Sequence, residues 1–449
     1  MSWENKLLRI VRVANAHEIG TFVRLLSAIS AVGGNVGDIA LLNESTNQVV
    51  REITIFADDD KQLEIILDAI RKNRGTKLLD VRDEVLALHL KGKIAVRSRY
   101  PIDSIATLQK VYTPGVAEVC MKIAQDPALA HTYTSTCHMV AIVTDGTAVL
   151  GLGDIGPLAG MPVMEGKAML METLVGLSGV PILLNTKDPD EIIKVVAAIA
   201  PTFAAIQLED ISAPRCFRIE EELQKQLDIP VMHDDQHGTA VVATAVLTVA
   251  CRKLKIQLDK AVIGQIGLGA AGNAIAKILM RITGNPVWGA DLSEDALLRH
   301  EANGGKRADL KSIMANCDVV ISTTGVQGLI KPGMVRKGQV ILALSNPRPE
   351  IEPEVALNHG AAFAADGKLV NNVLGFPGIF RGAVDTWSPR ISDEMLLAAS
   401  EAIANHTASD ELAPNPLDRT LHQAVAHAVA LKAIEQGLAR AEYVPYIHE

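Results

Sequence analysis

Cysteine is scarce in this chain: five in 449 residues, Cys120, Cys137, Cys216, Cys251 and Cys317, odd in number, far apart and without a CxxC pair. That pattern fits neither a disulfide scaffold nor a cysteine-bound zinc centre, and it fits a reducing compartment. Aromatic residues are also few, with three Trp, five Tyr and seven Phe. The cores must therefore be packed by Ile, Leu, Val and Ala, and little is left to stack on nucleic-acid bases. No block of like charge interrupts the chain and the formal net charge is −9, which argues against nucleic acid or an anionic membrane as the main partner. The most apolar stretch, Thr239 to Cys251, falls short of the roughly 20 residues that a membrane span needs. Glu4, Lys6, Arg9 and Arg12 break up the first apolar positions, so no secretory leader is read. A cytoplasmic protein that handles small metabolites is expected.

What the chain does contain is enough for several folded units. Hydrophobic residues make up 48% and charged residues 21%, a globular mix, and 449 residues exceed one ordinary domain. Residues 7–90 read as βαββαβ, a ferredoxin-like sandwich. Leu7–Val13 has strand character; Phe22, Leu25, Leu26 and Ile29 then share one helix face, which Gly33-Gly34-Asn35 ends. Strands follow near Val36–Leu42 and Val49–Phe56, a helix carries Leu63, Ile66, Leu67 and Ile70, and strands near Lys77–Val81 and Val85–Leu90 close the unit. Lys91–Pro101 reads as a linker. Beyond it, apolar runs at Met139–Val143, Pro181–Leu184, Ala204–Leu208 and Ile229–Met232 alternate with helical patterns, the order of an α/β unit. The expected division is 1–90, 91–252, 253–375 and 376–449, the last mostly helical.

Lys260–Ile266 is a short apolar run that ends in Gly267-Leu268-Gly269-Ala270-Ala271-Gly272, and Ile275, Ile278, Leu279 and Ile282 then fall at helical spacing. Strand, glycine turn and helix together form a Rossmann signature: the glycines allow a tight turn, and the helix N-terminus holds a pyrophosphate. A second strand, Pro286–Ala290, ends at Asp291, 19 residues after Gly272. A carboxylate there accepts the ribose hydroxyls and repels a 2′-phosphate, favouring NAD over NADP. Thr324 and Asn346 are expected to join the same cofactor site. The pattern Gly151–Gly156 repeats the glycine spacing, but Pro157 follows and no amphipathic helix is read there, so it is taken as a loop.

Two strands end in acidic pairs: Ala204–Leu208 in Glu209-Asp210, and Ile229–Met232 in Asp234-Asp235 after His233. Ligands bind at the carboxyl ends of parallel strands, and clustered oxygens without cysteine suit Mg²⁺ or Mn²⁺. Neighbouring side chains diverge, so at most three of the four carboxylates need reach one ion. Lys167 follows Gly166 at the start of an apolar helix, read as Ala168–Leu177. A helix N-terminus and a nearby cation both lower a lysine pKa toward the range of a useful base.

Residues 7–90 resemble an ACT domain, in the turn Asn15-Ala16-His17-Glu18-Ile19-Gly20 before the first helix and in the Gly-Gly-Asn after it. The resemblance implies a small effector bound where two copies pair. From about residue 95 to 440 the chain is similar to the bacterial malic enzymes. The likeness rests on Tyr112-Thr113-Pro114-Gly115, Thr144-Asp145-Gly146, Lys167, Leu208-Glu209-Asp210-Ile211, Asp234-Asp235-Gln236-His237-Gly238-Thr239, Leu344-Ser345-Asn346-Pro347 and Asn371-Asn372-Val373-Leu374-Gly375. It implies Tyr112 as general acid, Lys167 as general base, Glu209, Asp210 and Asp235 as metal ligands, and Asn346 and Asn372 as substrate contacts. Thr147-Ala148-Val149 stands where larger relatives carry an arginine that grips a substrate carboxylate. The implied reaction is malate to pyruvate and CO₂ with reduction of NAD, in a homodimer or higher homo-oligomer. Two rival readings are a malolactic-type conversion of malate to lactate and a metal-independent amino-acid or folate dehydrogenase.

Overall fold

The computed structural model describes residues 7–149 and 151–446, and the chain divides into two compact units, Met1–Ala95 and Val96–Glu449. In the first, β1 (Leu7–Ala16), β2 (Asn35–Glu44), β3 (Gln48–Ala57) and β4 (Thr76–Arg82) form an antiparallel sheet in the order β2-β3-β1-β4. Helices Thr21–Ala31 and Asp60–Lys72 connect β1 to β2 and β3 to β4. Strand period sets one face: Val11, Val13, Ile53, Ile55 and Ala57 are fully buried, and Val11 pairs with Ile53 across the sheet. Leu25 and Ile29 of the first helix and Ile66 and Ile70 of the second close over that face in one apolar cluster. The strand expected over Val85–Leu90 is absent; Glu84–His89 is a helix, with Asp83 accepting from the Leu86 N–H at 3.0 Å. The Asp-Glu start signal outweighs the apolar run there, because it satisfies a first-turn donor and favours the positive helix end.

The second unit holds two parallel sheets. Strands β5 (Met139–Thr144), β6 (Ser178–Leu183), β7 (Ala205–Leu208) and β8 (Val231–His233) lie in the order β6-β5-β7-β8. Val143, Ile206, Leu208 and Val231 pack with Ile192, Val196, Ile219 and Leu223 from the helices between them. The other sheet is built from β9 (Ile263–Ile266), β10 (Trp288–Ala290), β11 (Lys306–Arg307), β12 (Val319–Ser322), β13 (Val340–Ala343) and β14 (Phe363–Asp366), in the order β11-β10-β9-β12-β13-β14. The chain leaves β9 toward β10 on one side and returns to β12 on the other, so the crevice at the strand ends opens between the loops after β9 and β12. Helix Asp234–Leu254 runs between these parts and is buried nearly all round, with Val241, Val242, Val246 and Leu247 at 1% exposure or less. The C-terminal segments Phe376–Asp385, Asp393–His406 and Arg419–Glu435 are helical, and a Cβ on Gly382 would lie 2.4 Å from the Ala426 carbonyl oxygen, so two helices meet backbone to backbone there.

The loop expected after Gly156 is instead the start of a helix, Pro157–Val175, with proline in its first turn. Met164, Ala168, Met171, Leu174 and Val175 are all buried along it. A helix enclosed on several sides carries no single apolar stripe, which is why its period is hidden. No helix among the described residues is long and apolar enough to cross a membrane.

Candidate active site

The early helix start changes the position of Lys167: it lies within the helix Pro157–Val175, away from the N-terminal dipole. Its ammonium is held between two carboxylates, donating to Asp234 Oδ2 and lying 2.9 Å from Glu209 Oε1. The aromatic face of Phe376 lies 4.4 Å from Lys167 Nζ, a cation–π contact. Burial by itself favours the neutral amine, but Asp234 first and Glu209 second outweigh it and hold the pKa above the ordinary lysine value. The expected depression is thus reversed, for two reasons: the helix dipole is remote, and Asp234 is present as a counter-charge.

The strand ends deliver the acids. Glu209 and Asp210 follow β7, Asp210 with a left-handed backbone at φ 54°, and Asp234 and Asp235 open the helix after β8. Ligand oxygens of Glu209, Asp210 and Asp235 lie within 4.8 Å of one another. The main-chain N–H of Asp210 donates to Asp235 Oδ2 at 2.9 Å, and Gln207 Nε2 donates to Glu209 Oε2 at 2.6 Å. Asp210 also anchors the preceding loop: its carbonyl accepts from the Thr147 and Ala148 N–H groups at 3.1 and 2.9 Å. Burial, then Asp235 and Asp234, push the Asp210 carboxyl up to about 7 against the pull of Lys167; burial and the neighbouring acids raise Glu209 as well. Asp210 Oδ2 is buried with no hydrogen-bond partner. Three converging acids, with Asp210 Oδ2 lacking a donor and with Glu209 and Asp210 disfavouring ionisation, fit a hard divalent ion.

Asp234 is the site residue that the sequence reading left without a role. It is fully buried, and besides Lys167 it accepts from Asn372 Nδ2 at 3.1 Å, while Thr239 Oγ1 donates to Asn372 Oδ1 at 3.0 Å. Strand and helix period could locate the acidic pair but not tell which member turns to the lysine. The helix carrying it needs Gly238: a Cβ there would sit 1.9 Å from Asp234 Oδ1. Asp145 and Arg215 were also missed. Asp145 Oδ1 accepts from Thr147, and Arg215 Nη2 reaches Asp145 Oδ2 at 3.0 Å and Thr147 Oγ1 at 2.8 Å, so the arginine is tied to the Thr144–Ala148 turn. Tyr112 is not brought into this group; it is 67% exposed and its hydroxyl makes no hydrogen bond among the described residues. Asn346 is half-buried after β13, likewise without a hydrogen bond to Lys167 or the acids.

In the other sheet, Gly267 has φ 86°, and a Cβ on it would meet the Thr323 carbonyl at 2.8 Å. Gly269 precedes the helix Ala270–Thr283 that contains Ala271, and a Cβ on Gly272 would lie 1.9 Å from the Gly267 carbonyl oxygen. The turn therefore presses the helix start against the strand end and points its first N–H groups outward. Asp291 follows β10 and clasps the turn, accepting from the Leu268 N–H at 2.7 Å and the Ser293 N–H at 2.8 Å. Thr324 follows β12 across the crevice.

A parallel sheet with a glycine turn at its topological switch, beside strand-end acids and a buried amine, is the layout of a dinucleotide-dependent oxidoreductase. Residues 92–189 and 184–224 match the malic enzyme N-terminal domain, and residues 292–437 match the malic enzyme NAD binding domain. The chain is 52% identical over 430 residues to NAD-dependent malic enzyme 1 of Bacillus subtilis, covering 95% of this chain and 98% of that protein. It is 42% identical over 466 residues to NAD-dependent malic enzyme of Geobacillus stearothermophilus, covering 97% and 96%. Among solved structures, malic enzyme from Pyrococcus horikoshii superposes with a TM-score of 0.75 at 39% identity, covering 78% of this chain and 89% of that one. The chain belongs to the malic enzyme family.

Proposed function

We infer that the chain catalyses oxidative decarboxylation of malate to pyruvate and CO₂ with NAD as hydride acceptor. Close relatives over nearly the full length are NAD-dependent malic enzymes, and Asp291 at the end of β10 agrees with NAD in preference to NADP. The observation that carries the chemistry is the wedge of Lys167 between Asp234 and Glu209, next to the oxygens of Asp210 and Asp235.

Glu209, Asp210 and Asp235 would hold Mg²⁺ or Mn²⁺, which when bound supplies positive charge to the substrate oxygens in both the oxidation and the decarboxylation. Lys167 takes the proton of the malate 2-hydroxyl as hydride leaves C2, and Asp234 steadies the resulting ammonium. The base acts from its neutral form; of the two acids that favour its charge, Glu209 is the one a bound ion would also draw on, which would loosen its hold on Lys167. Asn372, fixed by Asp234 and Thr239, and Asn346 orient the substrate. After CO₂ leaves, a proton goes to C3, giving pyruvate; the family resemblance gives that role to Tyr112, which stands exposed and outside the group of Lys167 and the acids and would have to be brought to the substrate. The glycine turn Gly267, Gly269, Ala270, Ala271 and Gly272 receives the pyrophosphate, and Thr324 and Asn346 face the other half of the dinucleotide.

Functionally the chain reads as four parts: an effector-binding, ACT-like unit at 1–90, a substrate part at 91–252, a nucleotide part at 253–375 and a C-terminal helical part at 376–449. The βαββαβ order of the first unit supports the ACT-like reading. Self-association is supported by helices Ile105–Val111 and Val116–Gln125, which have no buried residue and expose Ile105, Leu108, Val111, Val116 and Met121. Five unpaired cysteines agree with a cytoplasmic setting. The test follows NADH and CO₂ together with malate and NAD, with Mn²⁺ or with EDTA. Equal release of both, lost in EDTA, is expected; NADH without CO₂, or lactate without NADH, would overturn the reading.

A further inference from the structure

Glu350 is a fully buried acid in the nucleotide half, four residues beyond Asn346 and given no role above. Both of its oxygens are used. Oε1 accepts from the Thr324 N–H at 2.6 Å, from Thr324 Oγ1 at 2.8 Å and from Ser345 Oγ at 2.6 Å, and Oε2 accepts from the Ser345 N–H at 3.4 Å. The bonds continue outward: Ser345 Oγ accepts from the Gly325 N–H at 2.7 Å, and Thr324 Oγ1 accepts from the Val326 N–H at 3.2 Å. The main chain adds a second tie, with the Ile330 N–H donating to the Glu350 carbonyl at 3.1 Å and the Gly328 N–H donating to the Pro349 carbonyl at 3.2 Å.

These contacts join two loops that the sheet alone does not join. Thr324 leads out of β12 and Ser345 out of β13, and the residue after Ser345 is Asn346. Loops at strand ends are the mobile part of an α/β site, and a side chain that accepts from both fixes their spacing. Leaving four donors without an acceptor in a buried place is costly, so the acid holds the loops in one arrangement.

We propose that Glu350 is a positioning residue for the nicotinamide half of the cofactor site, acting through Thr324 and Ser345 to set Asn346 against bound dinucleotide and substrate. The proposal rests on the assignment of Thr324 and Asn346 to that site. Topology makes it selective. Asp291 and the Gly267–Gly272 turn, which serve the adenosine and pyrophosphate half, stand after β10 and β9 and take no hydrogen bond from Glu350 among the described residues; only the Thr324 side chain lies beside Gly267.

The test compares the full chain with Glu350→Ala and Glu350→Gln, using NAD, ADP-ribose as a probe that lacks nicotinamide, and malate turnover. In Glu350→Ala the NAD KM rises about ten-fold and kcat falls by up to about 100-fold, the scale of a 1 Å misplacement, while ADP-ribose affinity stays within about two-fold. Glu350→Gln keeps an oxygen for Thr324 and Ser345 and recovers most of both constants. Equal weakening of NAD and ADP-ribose, or unchanged kinetics in Glu350→Ala, would overturn the proposal. If Glu350→Ala does not fold, Ser345→Ala gives the same split in milder form, and no split there overturns it equally. Should ADP-ribose fail to compete with NAD in the unmodified enzyme, the assignment of the crevice itself fails, a result distinct from failure of the brace.

Discussion

Replacing Lys167 by alanine has two consequences that can be measured apart. The ammonium faces Asp234, whose side chain is wholly buried, and Glu209, whose side chain is 4% exposed, and it is itself 13% exposed. Removing one partner of a buried ion pair costs about 3–5 kcal/mol, because the remaining charge stays desolvated. At roughly 2–4 °C of melting temperature per kcal/mol for a large domain, the metal-free variant at pH 8 should melt about 10 °C below the parent. The deficit should shrink as pH falls, because Glu209, its pKa raised by burial and the neighbouring acids, takes up a proton, and again with saturating Mn²⁺, which restores positive charge beside Glu209. Turnover behaves differently: loss of a general base costs about 100- to 10,000-fold in kcat, and metal does not bring it back. NAD affinity stays unchanged, since the glycine turn is not touched. Lys167→Met, which keeps the volume, separates charge from packing and should match the alanine variant in kcat. Differential scanning fluorimetry with and without Mn²⁺, set beside NADH formation, reads both effects. A metal-free melting temperature equal to the parent, or kcat within about ten-fold of it, would refute the electrostatic account.

Metal affinity should depend on pH. The Asp210 carboxyl, pushed up to about 7, must lose its proton to bind an ion, so Mn²⁺ affinity rises with pH until just above that value and then levels; calorimetry in two buffers should detect proton release at pH 6.5 that fades by about pH 8.5. The same shift has a stability sign: the folded metal-free chain binds this proton more tightly than the unfolded chain. Its contribution is therefore full below the ordinary value of 3.8 and is lost as pH rises through about 7, and Asp210→Asn should flatten that part of the stability–pH curve. Asp291→Ser should raise the NADP-to-NAD ratio of kcat/KM at least about ten-fold by removing a repelling charge. It should also weaken NAD binding, since the Leu268 N–H loses its acceptor. A panel of amino acids and related metabolites should include one that shifts the malate KM, with the shift lost on deleting residues 1–90; a panel without effect leaves that unit no effector role.

The parts of this structure that local pattern reveals are those where neighbours in sequence decide the outcome. Gly267 to Gly272 sits between a strand and an amphipathic helix, and Leu63, Ile66, Leu67 and Ile70 are the buried residues of their helix. The acids of Glu209-Asp210 and Asp234-Asp235 could be placed at strand ends because β7 and β8 are short apolar runs. Three features were hidden for different physical reasons. The helix from Pro157 is enclosed, so it shows no stripe, although Gly156-Pro157 carried a start signal. The segment Glu84–His89 has a strand-like apolar run that a single cap at Asp83 overrides. The state of Lys167 depends on Asp234, 67 residues away, and no periodicity reports a contact of that range. Glu350 is legible only in three dimensions for the same reason: its meaning lies in two loops that meet at it.

Gly238 limits how such a chain can drift. A Cβ at that place would lie 1.9 Å from Asp234 Oδ1, so a side chain there must push on the same acid whose other oxygen holds the amine. A descendant that accepts even a methyl group there must reseat the acid of its proton-handling pair. The bare position thus serves as a marker: among diverged copies of the gene, those that have filled it are the ones in which a displaced acid is to be looked for first.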